Sequence, residues 1–172
     1  MVESNKKWLG DDRFFIDHTD NVQHHSRHAI KEYKYLVIHT MAEYLYDNGK
    51  VTHAEQFLSE MGLYPHFLVL PDGVVIQMLD TNLVGSHAKG FNSVSIGIEA
   101  LIPGALTYEE FVTATQEEFI NTVQWYALRE LVTNIKKQYP QLEIVGHHDL
   151  SPKRKVDPGV YVNLDRLRDE TL

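Results

Sequence analysis

Short apolar runs alternate with polar stretches along this chain, and their spacing predicts β-strands. Residues 35–40 are apolar and rich in β-branched side chains, which is typical of a buried strand. The runs 66–70 and 74–78 flank a Pro-Asp-Gly turn, so together they predict a hairpin. The runs 95–101 and 142–145 predict two further strands.

Helical periodicity is strongest over about residues 115–138, where apolar side chains recur at positions 119, 120, 123, 127, 128, 131, 132 and 135. The Tyr-Pro pair that follows ends this predicted helix. A second helix is predicted over 52–61, with Thr52 as its N-cap and Glu55 three positions later. Residues 160–168 predict a short third helix. Because strands and helices interleave, the pattern favours a layered α/β domain.

The first 33 residues are polar, and we interpret them as an irregular N-terminal arm. Its histidines are His18, His24, His25 and His28. The residues expected to pack the arm against the domain are Trp8, Phe14, Phe15 and Ile16. A solvated arm explains the histidines more simply than a second metal site. No repeat or linker interrupts the chain, so a single domain over residues 1–172 is predicted.

Composition limits the classes of function. The 172 residues are 43% hydrophobic and 23% charged, with a net charge of −8 and no cysteine. A basic face of the kind that binds nucleic acid is not expected, and disulfides and cysteine-bound zinc are excluded. Residues 1–10 lack an apolar core, so no signal peptide is expected. No apolar segment approaches the roughly 20 residues of a membrane-spanning helix.

Two histidines and one aspartate have the composition of a metal site. His39 is predicted at the end of one strand and His147 at the end of the last one. Asp157 follows on a loop stiffened by two prolines. Strand ends that are distant in sequence can converge in a sheet. Two histidines and a carboxylate suit a catalytic zinc, because a fourth position stays open for water.

Lys155 and Glu99 are candidates for charged groups beside such a site. Lys155 lies two residues before Asp157, so an extended loop places both side chains on one side, where an ammonium can stabilise an oxyanion. Glu99 lies inside an apolar strand, where a carboxylate needs a partner or a function, and it could act as a general base. The alternatives are a solvated loop lysine and a strand-end glutamate that faces solvent.

Four sequence blocks occur in order at 36–40, 64–73, 87–99 and 146–159. With them the chain resembles the type-2 N-acetylmuramoyl-L-alanine amidases, which include phage T7 lysozyme-like amidases, cytoplasmic muropeptide amidases and peptidoglycan recognition proteins. The blocks span roughly 35 to 160, most of the chain. The resemblance implies an α/β fold with a central, mainly mixed β-sheet flanked by helices.

The resemblance also implies roles for individual residues. It implies zinc ligands at His39, His147 and Asp157, and a catalytic or oxyanion-stabilising role for Lys155. Glu99 matches the catalytic glutamate of the cytoplasmic-type members.

Several positions depart from the family pattern. Many relatives carry a tyrosine directly before the histidine of the second block, but here that position is Pro65 and Tyr64 lies one place earlier. A shift of one residue points a strand side chain to the opposite face, which favours Glu99 as the base. Ser86 and Lys89 replace a tryptophan and a glycine that family members often carry.

The remaining candidate residues are expected either to bind substrate or to have a structural role. Tyr64 and His87 are the candidate substrate-binding residues. His66 is expected to be structural. His148 is expected to face away from the metal, as the next residue along a strand would.

The function that the resemblance implies is zinc-dependent hydrolysis of the amide between N-acetylmuramic acid and L-alanine. A phage-type endolysin is the leading hypothesis. The alternatives are a cytoplasmic amidase that recycles muropeptides and a non-catalytic peptidoglycan-binding module, although binding-only relatives commonly lack the third ligand. We expect peptidoglycan or muropeptide as the partner, no nucleic acid, a monomer, and a cytoplasmic location with release to the cell wall by a holin-like route.

Overall fold

The computed structural model describes residues 14–20 and 28–171, and its strands form one mixed β-sheet. The strands are β1 (Phe15–Asp17), β2 (Tyr35–Asp47), β3 (Lys50–His53), β4 (Phe67–Val69), β5 (Val75–Gln77), β6 (Ser95–Leu106) and β7 (Glu143–Gly146). Their spatial order is β1-β5-β4-β6-β2-β3, and β7 also pairs with β2. The pairs β4/β5 and β2/β3 are antiparallel and the others parallel.

Helices cover both faces of this sheet. They are α1 (Ala54–Glu60), α2 (Tyr108–Ala114), α3 (Thr122–Gln138), α4 (His147–Leu150) and α5 (Leu164–Glu170). Side-chain caps begin several of them: Thr107 and Glu110 form a capping box at α2, and the Asn121 side chain accepts a hydrogen bond from Gln124 N at α3. No helix in the described part of the chain is both long and apolar enough to span a membrane.

The two faces of the sheet carry cores of different size. The larger core joins the sheet to α3 and α5 through Leu36, Ile38, Phe67, Val69, Ile96, Ile98, Trp125, Leu128, Leu131, Val132, Ile135 and Leu167. Each fully buried leucine or isoleucine here stabilises the fold by about 1.5–3 kcal/mol. The smaller core lies under α1 and contains Ala54, Leu58, Leu68, Ile76, Met78 and Leu101. Because α1 covers only part of this second face, the rest of the face is open for a site.

Two predicted helix starts, one based on periodicity and one on a capping pattern, are wrong. The long helix begins at Thr122 rather than near residue 115, because Asn121 caps it and a separate helix, α2, ends at Ala114. The second helix is not capped by Thr52. Asn48 and Gly49 take positive φ values of 48° and 80° and turn the chain back, so that Thr52 pairs with β2.

The cap of α1 is therefore the next residue, His53, whose ring Nδ1 accepts a hydrogen bond from Glu55 N at 3.3 Å.

The irregular arm predicted for the first 33 residues is wrong for residues 15–17. These residues form β1, which pairs in parallel with β5 at the edge of the sheet. Phe15 packs against the larger core, whereas Phe14 and Ile16 are 48% and 40% exposed. The predictions for Trp8, His24 and His25 concern positions outside the described residues.

Candidate metal centre and active site

The site is built around one edge of β2. The opposite edge of β2 pairs with β6. On the edge that holds the site, β7 pairs with residues 35–38 and β3 with residues 44–47. Residues 39–43 lie between these two partners, and we call this interval the edge gap. The loop after α4 lies against it, since Thr40 Oγ1 donates a hydrogen bond to Pro158 O at 3.2 Å.

His39 was predicted at the end of its strand, but it lies inside β2. Residues beyond it continue to pair with β6 and then with β3, which extends the strand to Asp47. His147 does follow its strand directly, because β7 ends at Gly146 beside Ile38. The candidate metal centre thus lies at the edge gap rather than where two strands end.

Three candidate ligands meet at this gap. His39 Nδ1 lies 3.0 Å from His147 Nδ1, and each of these nitrogens lies 3.1 Å from Asp157 Oδ2. The three residues are 2%, 3% and 7% exposed. Ligand atoms of a tetrahedral zinc are separated by about 3.3 Å, since each lies about 2.0–2.1 Å from the metal. The donor set and its spacing fit zinc.

The protonation states of this group also suit a metal. Burial lowers the pKa of His39 and so favours the neutral ring. Burial alone raises the pKa of Asp157, but its hydrogen bonds with His147 and His39 outweigh that effect and hold the pKa well below its usual range. Neutral imidazole and ionised carboxylate are the forms that bind metal.

Glu99 lies next to His39 on the neighbouring strand. The two residues are paired in the parallel register of β2 and β6, so their side chains are on the same face. Burial, and then the negative charge of Asp157, raise the pKa of Glu99 well above its usual value, while the charge of Lys155 opposes this shift. Among the described residues, Glu99 Oε2 and His147 Nε2 are buried side-chain atoms without a hydrogen-bond partner. Because Glu99 also lines the groove beside His39 and Asp157, its unpartnered oxygen is available to a reactant there.

Lys155 follows a turn in which its backbone N–H donates to Ser151 O at 3.0 Å. It is half-buried. It lines a groove of about 590 Å³ together with His39, Glu99 and Asp157. The structure thus brings the two candidate catalytic residues and the metal centre to one groove.

Two arms extend from this centre, and they differ in polarity. One arm runs along the extension of β2 and is largely apolar: its lining includes Leu45, Tyr46, Met61, Leu106, Tyr108 and Phe111. The other, which we call the polar arm, adds the polar and cationic side chains of Ser86, His87, Lys89, Asn92, Arg154 and Lys155 to the apolar ones of Leu58, Leu63 and Pro65. The two sides of the candidate metal centre therefore differ mainly in the number of cationic and polar side chains.

The two candidate substrate-binding residues lie in different surroundings. His87 lines the polar arm, and its Nδ1 lies 3.0 Å from His39 Nε2. Burial, and then the proximity of His39, lower the pKa of His87 well below its usual value, so its ring is neutral. Tyr64 is 5% exposed and does not line either arm.

Two other histidines serve the scaffold. Gly97 N donates to His66 Nδ1 at 3.0 Å, and His66 Nε2 donates to Leu83 O at 2.9 Å. His148 lies in α4 rather than on a strand, which corrects the geometry predicted for it. Its Nδ1 is 3.1 Å from the backbone oxygen of Asp157, so it contacts a candidate ligand through the main chain.

The contact of His87 with His39 was not predicted. The sequence does carry a signal for it, because Ser95, Gly97 and Glu99 alternate along β6 and so share one face with His39. A small residue between two polar ones leaves room on that face for a side chain from another segment.

A mixed sheet that gathers two histidines, an aspartate, a buried glutamate and a lysine around one groove is typical of metal-dependent amide hydrolases. The chain belongs to the N-acetylmuramoyl-L-alanine amidase family (Amidase_2), whose sequence profile matches residues 29–160.

Sequence similarity to individual proteins is consistent with membership of this family. The endolysin of Klebsiella phage KP32 is 36% identical over 101 residues, which is 59% of this chain and 62% of that protein. The 1,6-anhydro-N-acetylmuramyl-L-alanine amidase AmpD of Haemophilus influenzae is 31% identical over 118 residues, 62% of this chain and 58% of that protein. The chain thus spans about three fifths of the length of these relatives.

A solved structure has the same fold. The Ph2119 endolysin from the Thermus scotoductus MAT2119 bacteriophage Ph2119 superposes with a TM-score of 0.67 at 22% identity, covering 91% of this chain and 98% of that one. The family and the mixed sheet predicted from the four sequence blocks are confirmed.

Proposed function

We propose that this chain hydrolyses the amide between the lactyl group of N-acetylmuramic acid and the L-alanine of the stem peptide. The observation that carries the proposal is the meeting of the His39–His147–Asp157 group with Glu99 and Lys155 in one groove. These three ligands would hold a zinc ion, which supplies Lewis-acid chemistry: it polarises a carbonyl oxygen and lowers the pKa of water.

Glu99 is suited to move the proton. Its Oε2 is buried and has no partner among the described residues, and its raised pKa brings the carboxyl closer to neutral pH, where a general base works best. In the proposed reaction Glu99 accepts a proton from the attacking water and gives it to the leaving nitrogen of L-alanine. The products are a free lactyl carboxylate and a free amino terminus, so protons balance over the turnover.

Lys155 is suited to stabilise the charge that develops on the carbonyl oxygen. It is a half-buried cation that lines the same groove as Glu99 and Asp157. An ammonium held there is already oriented when the oxyanion forms, which lowers the barrier without further reorganisation.

The biological setting that we propose is that of a phage-type endolysin. The similarity to the KP32 phage endolysin supports it, while the similarity to AmpD supports the alternative, an enzyme that recycles soluble muropeptides. On the endolysin proposal, a monomeric single domain acts on peptidoglycan after release from the cytoplasm through a holin-like pore.

Mass spectrometry of digested sacculi tests the reaction. Zinc-loaded protein should release stem peptides with free L-alanine amino termini, and the Asp157→Ala variant should release none above background. Cleavage at another bond, or no cleavage by the zinc-loaded protein, contradicts the proposal.

A comparison of two substrates tests the setting. An endolysin should digest intact sacculi at a rate comparable with soluble anhydro-muropeptides. A strong preference for the soluble fragments would instead support the recycling enzyme.

A further inference from the structure

His39 places its two ring nitrogens in two different environments. Its Nδ1 faces the other two candidate ligands at 3.0 and 3.1 Å, whereas its Nε2 lies 3.0 Å from His87 Nδ1. A histidine that binds metal through one nitrogen donates a proton from the other, and the group that accepts it orients the ring. His87 is in the position of that acceptor.

One assignment of protons satisfies every hydrogen bond from His39 outward. When Nδ1 of His39 is the ligand, its ring proton lies on Nε2 and is donated to His87 Nδ1. His87 then carries its own proton on Nε2, which lies 3.3 Å from Ser95 Oγ. The Ser95 hydroxyl in turn donates to Phe91 O at 2.8 Å. The series ends on a backbone carbonyl, which can only accept.

The surroundings of His87 hold its ring in this orientation. A Cβ atom on Gly97 would lie 2.5 Å from His87 Nδ1, so the ring rests directly on the backbone of β6. The backbone N–H groups of His87 and Ala88 both donate to Asn92 Oδ1, at 3.1 and 2.7 Å. Backbone and ring are therefore both fixed.

We propose that His87 is a positioning residue that accepts the Nε2 proton of His39 and thereby directs the Nδ1 lone pair of His39 toward the metal. Ser95 extends this role by fixing the proton of His87 on Nε2. The inference rests on the proposed function, since it concerns the residue that would hold the zinc ion. It gives His87 a role beyond lining the polar arm.

Zinc affinity tests this role without any substrate. His87→Leu removes the acceptor and should weaken zinc binding 10- to 100-fold in a chelator competition, the range for loss of a group that orients a ligand. His87→Asn offers an amide oxygen near the position of Nδ1 and should keep zinc affinity within about threefold of the wild type. His28→Leu, at an exposed histidine outside the groove, is the control and should bind zinc like the wild type.

Equal zinc affinity of the Leu variant and the wild type would overturn the proposal, as would equal losses in the Leu and Asn variants. Gly97→Ala gives a second route, because the added methyl group displaces the ring without removing it. It should weaken zinc binding in the same direction as His87→Leu, and unchanged affinity would count against the role of His87.

A measurement on the wild type covers the case in which the variants do not fold. Long-range ¹H–¹⁵N correlation spectra of the zinc-loaded protein report which ring nitrogen carries the proton. The expected result is a proton on Nε2 of both His39 and His87, and a proton on Nδ1 of either residue overturns the proposal. Because neither readout requires catalysis, a zinc-binding protein without amidase activity would contradict the proposed function and leave this inference standing.

Discussion

At the scale of single residues, Glu99 and His39 show how a parallel register sets chemistry. They are direct neighbours on adjacent strands, yet the proposed reaction requires opposite charge states: His39 must be neutral to bind metal, and Glu99 must ionise to accept a proton. Burial favours the neutral form of both groups. The charge of Lys155 lowers the pKa of Glu99 and so partly offsets the effect of burial.

Replacing Glu99 with glutamine should remove the proton acceptor while keeping the shape of the side chain. We expect kcat to fall about 10²- to 10⁴-fold, the usual contribution of a general base, with zinc content unchanged. Steady-state hydrolysis of a muropeptide measures this. Glu143→Gln, at an exposed strand position, is the control, and a Glu99→Gln enzyme with near wild-type kcat would exclude Glu99 as the base.

The raised pKa of Glu99 predicts the direction of a pH effect. A base works in its ionised form, so kcat/KM should fall as the pH drops through the pKa of Glu99, and this fall should occur above pH 4.5, the ordinary value. A pH–rate profile measures it, with zinc content checked at each pH. A fall that begins only below the ordinary glutamate range would contradict the prediction.

The contribution of Lys155 to catalysis can be measured separately from that of the other charged residues in its loop. Lys155→Ala should lower kcat about 10²- to 10³-fold, because one preorganised group facing an oxyanion contributes about that much. Lys153→Ala changes an exposed lysine two positions away and should leave kcat within about twofold of the wild type. Equal losses in both variants would point to a general effect of loop charge instead of a specific one.

At the scale of elements, apolar runs predict where strands exist better than where they end. The runs at 35–40 and 95–101 mark the buried halves of β2 and β6, but both strands continue for five to seven residues into a more exposed extension. That extension is stabilised by pairing with β3, which depends on a turn and not on hydrophobic periodicity. For this reason His39 was predicted at a strand end.

The three candidate ligands are easier to find in the sequence than the contact between His87 and His39. Histidine and aspartate side chains in that combination have few other uses, so the set stands out in the sequence. The contact between His87 and His39 depends on the path of residues 80–94, most of which lie outside helices and strands, and no periodicity encodes that path. Only the alternation of Ser95 and Gly97 hints at it.

The cap of α3 can be tested by itself. Asn121→Ala removes the side-chain acceptor for Gln124 N and should lower the free energy of unfolding by about 1 kcal/mol. Urea denaturation measures the loss. Asn121→Asp keeps the acceptor but not the amide donor to Pro71 O, so it should lose less stability than the Ala variant. The reverse order would show that the Pro71 contact matters more than the cap.

At the scale of the whole molecule, the candidate metal centre joins distant parts of the chain. His39 lies in β2, while His147 and Asp157 belong to the segment that follows β7. A ligand that binds only the folded state stabilises it by about 2.7 kcal/mol at a free concentration of 100 times Kd. Zinc should therefore stabilise the packing of the segment after β7 against β2 as well as the site itself.

Removal of the metal should lower Tm for this reason. Thermal unfolding of zinc-loaded protein, with and without a chelator, should show a drop of several degrees. Asp157→Ala should show a much smaller drop, because it binds zinc weakly, whereas Glu99→Gln should behave like the wild type. A chelator that leaves the Tm of the wild type unchanged would mean that no metal links these segments.

The three residues that meet at the edge gap of β2 are far apart in the sequence, which sets the order in which they are synthesised. The first ligand, His39, precedes His147 by 108 residues and Asp157 by 118. During translation the second and third ligands therefore emerge only after nearly all of the sheet has been made. A ribosome-bound or prematurely terminated chain that stops before β7 contains one candidate ligand of the three, so the group His39, His147 and Asp157 cannot assemble on it.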